Sequence, residues 1–342
     1  MVQHSHMNGE RGASPLRVSP FSQCIGNVNM KISVVIPSKN GLHHLKDCLP
    51  SIITAANKAY GCAINIMVVD DNSTDGTFQH APILFPEVTF LQNSKKGVCS
   101  ARNFGVKYSP CDWICFLDND VFVDEDFFNT SQKYLQPGVF CVTCAGYAAY
   151  PKNSNITEQL DGIKLIEWKR GFPRFTKNIY NDQLPKLSEY PSWGVQGAYF
   201  FCNRARFDEL NGFDELFDPY MLEETDLVYR GLKRGWKIVY ARETQLRHKC
   251  GSTIASKTNT YTKFLSKRNR ILFVWKNIHS FHLLFQHWFW IICRFQWVTV
   301  YHAWKQWKKR RAVKTTDCEI IDDYALLKCS KDLFRKFIGE KL

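Results

Sequence analysis

Asp118 and Asp120 stand two residues apart at the end of the run WICFLDND (113–120). Two carboxylates so spaced at a strand end can share a hard divalent cation. Magnesium and manganese take oxygen ligands and keep positions for water and phosphate oxygens. Alone, such a tripeptide is as well read as a solvated turn. A second acidic pair, Asp70-Asp71, closes INIMVVDD (64–71). A carboxylate there can accept from a base N–H or a ribose hydroxyl. Helix capping accounts for Ser73 or Asp75 but not for two adjacent acids closing a buried run. Gly97 to Asn103 opens a helix behind Lys95-Lys96, a setting that suits an anion, and Arg102 lies in its first turns; the alternative is a surface arginine. Glu223, Glu224 and Asp226 form a third acidic group, in which a carboxylate near a cleft can act as general base toward a hydroxyl. The helix dipole also favours acids at a helix start without any such role. His248, in LRHKCGS, adds a candidate nitrogen ligand, although a lone histidine is more often structural.

These residues need elements to position them. KISVVIP (31–37) is a β-branched run stopped by proline, which predicts a buried strand. Residues 42–58 place Leu45, Leu49, Ile52, Ile53 and Ala56 on one helical face. Further strands are expected at 64–71, 88–92 and 113–120, with helices after STDGT and over 97–108. This alternation implies an α/β fold with a mostly parallel sheet and helices on both faces. Ligands of such sheets bind beyond the carboxyl ends of the strands, where Pro37-Ser38-Lys39, Asp70-Asp71 and Asp118-Asn119-Asp120 fall. Beyond them, 124–136 reads as helix, 139–149 as extended, 197–203 and 237–241 as strands, and 223–235 as helix. The stretch 150–192 is Pro- and Lys-rich without clear period and reads as a loop-rich insertion over the site. Residues 257–338 read as mostly helical.

The chain has 342 residues, 45 Lys+Arg against 32 Asp+Glu, and a net charge of +13. With 45% hydrophobic content it is long enough to bury a core and is not a disordered chain. Its basic balance raises nucleic acid or an anionic membrane as partner. The charge is not evenly spread. Residues 244–316 contain no Asp or Glu and 15 Lys+Arg, which leaves 30 basic and 32 acidic residues elsewhere. The same stretch includes Trp288, Trp290, Trp297, Trp304 and Trp307. Within it, 277–293 carries no charged residue over 17 positions, short of the ~20 needed to span a bilayer. It is read as an in-plane amphipathic helix with aromatic and basic anchors, ahead of a spanning helix or an aromatic pair packed on the body. An apolar run is unsuited to a polyanion, so nucleic acid is set aside. Thirteen cysteines include one CxxC (Cys141, Cys144) and one CxxxC (Cys111, Cys115); no second pair completes a zinc site, and they are read as reduced core residues. Residues 1–29 are expected to be a disordered leader or tag, with Met30 as a candidate natural start.

Taken in order, VVIPSKN, VVDDNSTDGT, GVCSARNFG, FLDND, GAYFFCNRARFDELNGFDE, EETDL and RHKCGS resemble the family 2 glycosyltransferases of the GT-A fold. The resemblance runs over about 31–252, roughly two-thirds of the chain, and fits the non-processive, rhamnosyltransferase-like bacterial type. It implies a Rossmann-like sheet over 30–255 and a helical C-terminal extension over 256–342. It implies that Pro37, Ser38 and Lys39 line the nucleotide, with Asp70 and Asp71 by the base, Arg102 supporting the pocket and Asn119 beside the sugar nucleotide. Asp118, Asp120 and His248 would hold Mn2+ or Mg2+ on the diphosphate. Glu223-Glu224 stands where the family has a Glu-Asp pair, so Glu224, or else Glu223, would be the catalytic base. Lys39 stands where an aromatic often sits. No Q-x-x-R-W motif of processive synthases is present. The function so implied is inverting, single-sugar transfer of hexosyltransferase type from a nucleotide-sugar donor to a glycan or lipid-linked acceptor. It would serve cell-surface polysaccharide or glycolipid synthesis, at the cytoplasmic face of the cell membrane. The alternative is a catalytically inactive assembly or sugar-binding component at the membrane.

Overall fold

The computed structural model describes residues 30–152, 155–179, 184, 186–187, 189–249, 259–309 and 321–338. The leader 1–29 and the Cys250-Gly251-Ser252 end of the last motif lie outside them. Four parallel strands form one half of the main sheet: β1 (Met30–Ser38), β2 (Cys62–Asp70), β3 (Thr89–Gln92) and β4 (Trp113–Leu117). They are linked by α1 (Leu42–Asn57), α2 (Thr77–Leu84) and α3 (Val98–Lys107). Their apolar runs are buried on both faces, as parallel strands covered by helices require. The other half adds β5 (Val121–Val123), β6 (Val139–Lys152), β7 (Asn155–Leu160), β10 (Tyr199–Asn203) and β11 (Lys237–His248). The order is β3-β2-β1-β4-β10-β6-β11-β5, with β7 beside β6. β10 runs antiparallel to both neighbours, so the sheet is mostly, not wholly, parallel.

Three local expectations are corrected. The stretch 150–192 is not loop-rich: it carries β7 and a separate hairpin of β8 (Ile163–Lys169) and β9 (Phe172–Ile179). A register shift between Leu165 and Glu167 breaks the hairpin's two-residue alternation, which hides it from a periodicity search. The helix over 124–136 is shorter, with α4 (Phe127–Ser131) passing into a single 3-10 turn. β11 runs on to His248 instead of ending at 241, because its end pairs with β5, His248 opposite Val121.

The C-terminal helices are α7 (Asn259–Asn277), α8 (Phe281–Cys293), α9 (Trp297–Lys309) and α10 (Asp323–Ile338). Ile271, Leu272, Phe273 and Val274 of α7 are fully buried and share one cluster with Val35, Phe116 and Phe200 of the sheet. Each such side chain adds about 1.5–3 kcal/mol of burial. A buried ionic network joins α7 to α6 (Glu223–Lys233). Lys276 reaches Asp214 at 2.7 Å and Asp226 at 2.9 Å, and Asp226 also takes Arg230 at 2.8 Å. Burial alone would raise the Asp226 carboxyl; Lys276 and Arg230 outweigh it and hold it below its ordinary value. No helix among the described residues is long and apolar enough to cross a membrane. The described cysteines are unbridged, and Cys141 and Cys144 are buried in β6.

Candidate functional site

Parallel strands end together, and their carboxyl ends gather the polar residues. Ser38, at the end of β1, accepts the Asp71 N–H at 2.7 Å through its carbonyl and the Asn119 amide at 2.9 Å through its hydroxyl. Asp70 is 1% exposed; one oxygen accepts the Ser73 N–H at 3.1 Å and the other is buried without a hydrogen-bond partner. Asp71 is the hub of this corner. Its Oδ1 accepts from Asn93 and from the Gly97 N–H, both at 2.9 Å, while Oδ2 lies 3.4 Å from Lys39. One carboxylate thus ties the ends of β1 and β3 to the start of α3. Asn93 had no mark in the sequence, since nothing local distinguishes it from a turn residue.

The start of α3 differs from the expectation of an open anion site. Asp218 already fills it: its Oδ1 accepts the Cys99 N–H at 2.9 Å, and any Cβ on Gly97 would collide with the same carboxylate. The chain supplies its own anion to the helix dipole. Lys95 is paired with Glu215 at 2.8 Å. Arg102 is not a surface residue; it is 2% exposed. Its NH2 donates to Asp118 at 2.9 Å and to the Gly197 carbonyl at 2.8 Å, and its NH1 to Glu223 at 3.2 Å. The guanidinium therefore stands between the two acidic groups.

Asp118, Asp120 and His248 each turn a ligand atom to a common point, all within 4.8 Å of one another. Asp118 leaves β4 with its N–H on the Ala198 carbonyl, and β11 brings His248 Nε2 to 3.2 Å from Asp120. The His248 ring sits 6.0 Å from Tyr199, whose hydroxyl donates to buried Asp161 at 2.6 Å. Two carboxylates and an imidazole suit Mn2+, and also Mg2+ with water and phosphate completing the shell.

The acid pair begins α6, after Met221 and Leu222, both in the left-handed region. Those conformations are unfavourable for such side chains, and α7 holds them in place. Asn269 Nδ2 donates to the carbonyls of Phe217, Tyr220 and Met221, and Arg268 to that of Asp218. Glu223 is 6% exposed, with Oε1 on Arg102 and Oε2 unpartnered. Burial and the Glu224 charge push its carboxyl up to about 8, against the pull of Arg102. Glu224 is half-buried; its Oε1 accepts from the Thr225 hydroxyl at 3.0 Å, and its carboxyl carbon lies 3.1 Å from where a Cβ on Gly197 would stand. Gly197 therefore leaves the space Glu224 occupies. Asp218, Gly197 and Asn269 were not identifiable as site residues from sequence, because each acts through contacts far along the chain.

A model of glycosyl transferase family 2 matches residues 33–207, and the chain belongs to that family. The glycosyltransferase GlyA of Streptococcus pneumoniae serotype 4 is 30% identical over 186 residues, 53% of this chain and 26% of GlyA. The N-acetylglucosaminyl-diphospho-decaprenol L-rhamnosyltransferase of Mycobacterium tuberculosis is 26% identical over 231 residues, 61% of this chain and 73% of that protein. The chain thus spans about a quarter of GlyA's length, and 19% of an uncharacterized glycosyltransferase of Rickettsia conorii. The crystal structure of GalNAc-T7 with UDP, GalNAc and Mn2+ superposes with a TM-score of 0.55 at 17% identity, covering 72% of this chain and 48% of that one. This likeness is one of fold, the GT-A architecture with its helix-flanked, mostly parallel sheet.

Proposed function

We propose that the chain is an inverting, metal-dependent glycosyltransferase. It moves a single sugar from a nucleotide-sugar donor to a glycan or lipid-linked acceptor in cell-surface polysaccharide or glycolipid synthesis. It works as a peripheral protein at the cytoplasmic face of the membrane. The observation that carries the reading is Arg102: one buried guanidinium joins Asp118 of the candidate metal group to Glu223 of the acid pair, so both chemistries meet in one place. Family membership and the Mn2+ and UDP named for the GalNAc-T7 structure support the same reading.

Pro37, Ser38, Lys39, Asp70 and Asp71 line the nucleotide, and Asn119 holds Ser38 beside it. Asp118, Asp120 and His248 hold the cation. When bound, Mn2+ or Mg2+ supplies electrostatic stabilisation of charge on the departing diphosphate. Glu224, the more accessible acid, accepts the acceptor hydroxyl's proton as that oxygen attacks the sugar carbon from the opposite side. Glu223 orients Arg102, which in turn fixes Asp118 and the Gly197 carbonyl.

A panel of sugar nucleotides tests this, by calorimetric binding and by manganese-dependent donor hydrolysis. Asp120→Ala should abolish metal-dependent nucleotide binding. Glu224→Gln should keep binding and lose roughly 10²- to 10⁴-fold in transfer, the usual worth of a general base; unchanged turnover would refute that role. No nucleotide binding and no hydrolysis with any donor would favour the inactive assembly component instead.

A further inference from the structure

Among the described residues, 17 large apolar side chains lie exposed and ten of them fall between Phe281 and Trp304, so this exposed apolar surface is concentrated on α8 and α9. On α8, Phe281, Phe285 and Phe289 recur every four residues on one face, at 83%, 63% and 52% exposure. Phe295 continues this surface through the turn, and Val298 and Tyr301 carry it onto α9. The opposite face of α8 is already used: Leu283, His287 and Ile291 are buried. Trp275 of α7 packs against Trp288 of α8 and Trp307 of α9, which brings the two helices together. Exposed apolar surface on this scale marks a binding face.

Charge identifies what it binds. The face lies within the 73 acid-free residues 244–316, and Arg294, Lys305, Lys308 and Lys309 are exposed along it. Arg294 and Lys308 stand over the rings of Trp290 and Trp304, at 5.1 and 4.1 Å. Two copies meeting here would bring like charges together with no acid in the run to answer them. Aromatic rings flanked by bases match the headgroup layer of an anionic bilayer. Each helix is 13 residues long, about 20 Å at 1.5 Å per residue and so too short to span.

We propose that the α8–α9 face docks in the plane of an anionic lipid surface. The proposal rests on the transferase reading in one respect, the acceptor. The face is built on the β8–β9 hairpin. His287 Nδ1 contacts the Gly171 carbonyl at 2.9 Å, and the Trp168 indole donates to Gln286 at 2.8 Å. Gly171, in the β8–β9 turn, has a positive φ, and any Cβ there would press on the backbone of Gln286 and His287. At the hairpin's other end Lys164 pairs through its backbone with Ser192 and Trp193, and the chain runs from there to Gly197 against Glu224. Docking therefore acts on the acid pair through the hairpin and the stretch from Ser192 to Gly197, as the transfer to a lipid-borne acceptor would use.

The test is co-sedimentation of the full chain with phosphatidylcholine vesicles with and without phosphatidylglycerol. Binding should require the anionic lipid and weaken with salt. The paired change Phe285→Ser and Phe289→Ser, both at exposed positions, should weaken it more than about tenfold. Lys308→Ala and Lys309→Ala should each cost about fivefold. Indifference to phosphatidylglycerol would overturn the proposal, as would no vesicle binding by a cooperatively folded preparation. A dimer, seen by light scattering, that the phenylalanine changes dissolve would also overturn it. Donor hydrolysis, measured on the same preparations, separates the two readings: its loss with vesicle binding intact sinks the transferase and leaves the dock.

Discussion

Glu223 shows how one side chain can carry a proton as part of its structure. Its carboxyl rises from 4.5 to about 8 because burial and the Glu224 charge together outweigh Arg102. The folded chain keeps a proton there that the unfolded chain releases above 4.5. Its contribution to stability is therefore fullest below that pH and declines as pH climbs toward 8. Glu223→Gln, neutral throughout, should flatten the fall of Tm over that window; a slope like that of the parent would place the proton elsewhere. The close approach of Glu224 to Gly197 gives a second prediction. Gly197→Ala should displace Glu224, lowering kcat by at least tenfold with donor binding kept; unaltered kcat would show that the glycine is not spacing the acid. The acids at 70, 71, 118 and 120 were legible because strand ends announce themselves in sequence. Arg102 entered only through the family resemblance: its partners lie 16 and 121 residues away, so the local sequence by itself does not separate it from a surface arginine.

At the scale of elements, α7 is more than an appended helix. It grips the segment before α6 through Asn269, whose two amide hydrogens serve three carbonyls. Asn269→Ala leaves those carbonyls unanswered and should cost about 1–3 kcal/mol of stability. The same change should lower kcat more than donor affinity, because the segment leads directly to the acid pair and meets the Asp71 corner only through Asp218 and Pro219 at the start of α3. An equal loss in both would mean a general loss of fold. The run 266–270 read only as helix, because a clamp on distant carbonyls has no sequence pattern. The hairpin β8–β9 was missed for a different reason, the bulge that breaks its alternation. The first four strands read well because a buried parallel strand is a continuous apolar run.

Across the whole molecule, the helical C-terminal region and the sheet share a core. Removing residues 256–342 would expose the partners of Ile271, Leu272, Phe273 and Val274 and strip Lys276 from Asp214 and Asp226. Breaking a buried ion network by deleting one side costs about 3–5 kcal/mol, a large part of what holds a domain folded. The truncated chain should fail to give a cooperative unfolding transition by calorimetry. A sharp transition would show that the body folds without its helices.

The carboxylate of Asp218 at the start of α3 has a further consequence. It lies on the segment that leads to the acid pair, yet it is bonded to the helix that follows the Asp71 corner, and the Pro219 carbonyl accepts the Val98 N–H beside it. On the transferase reading these bonds should link donor and acceptor affinities, and linkage is reciprocal: whatever factor the acceptor adds to donor binding, the donor must return to the acceptor. Titrating donor with and without a bound acceptor measures that factor. Asp218→Asn, which keeps the shape but removes the charge, should bring it toward one.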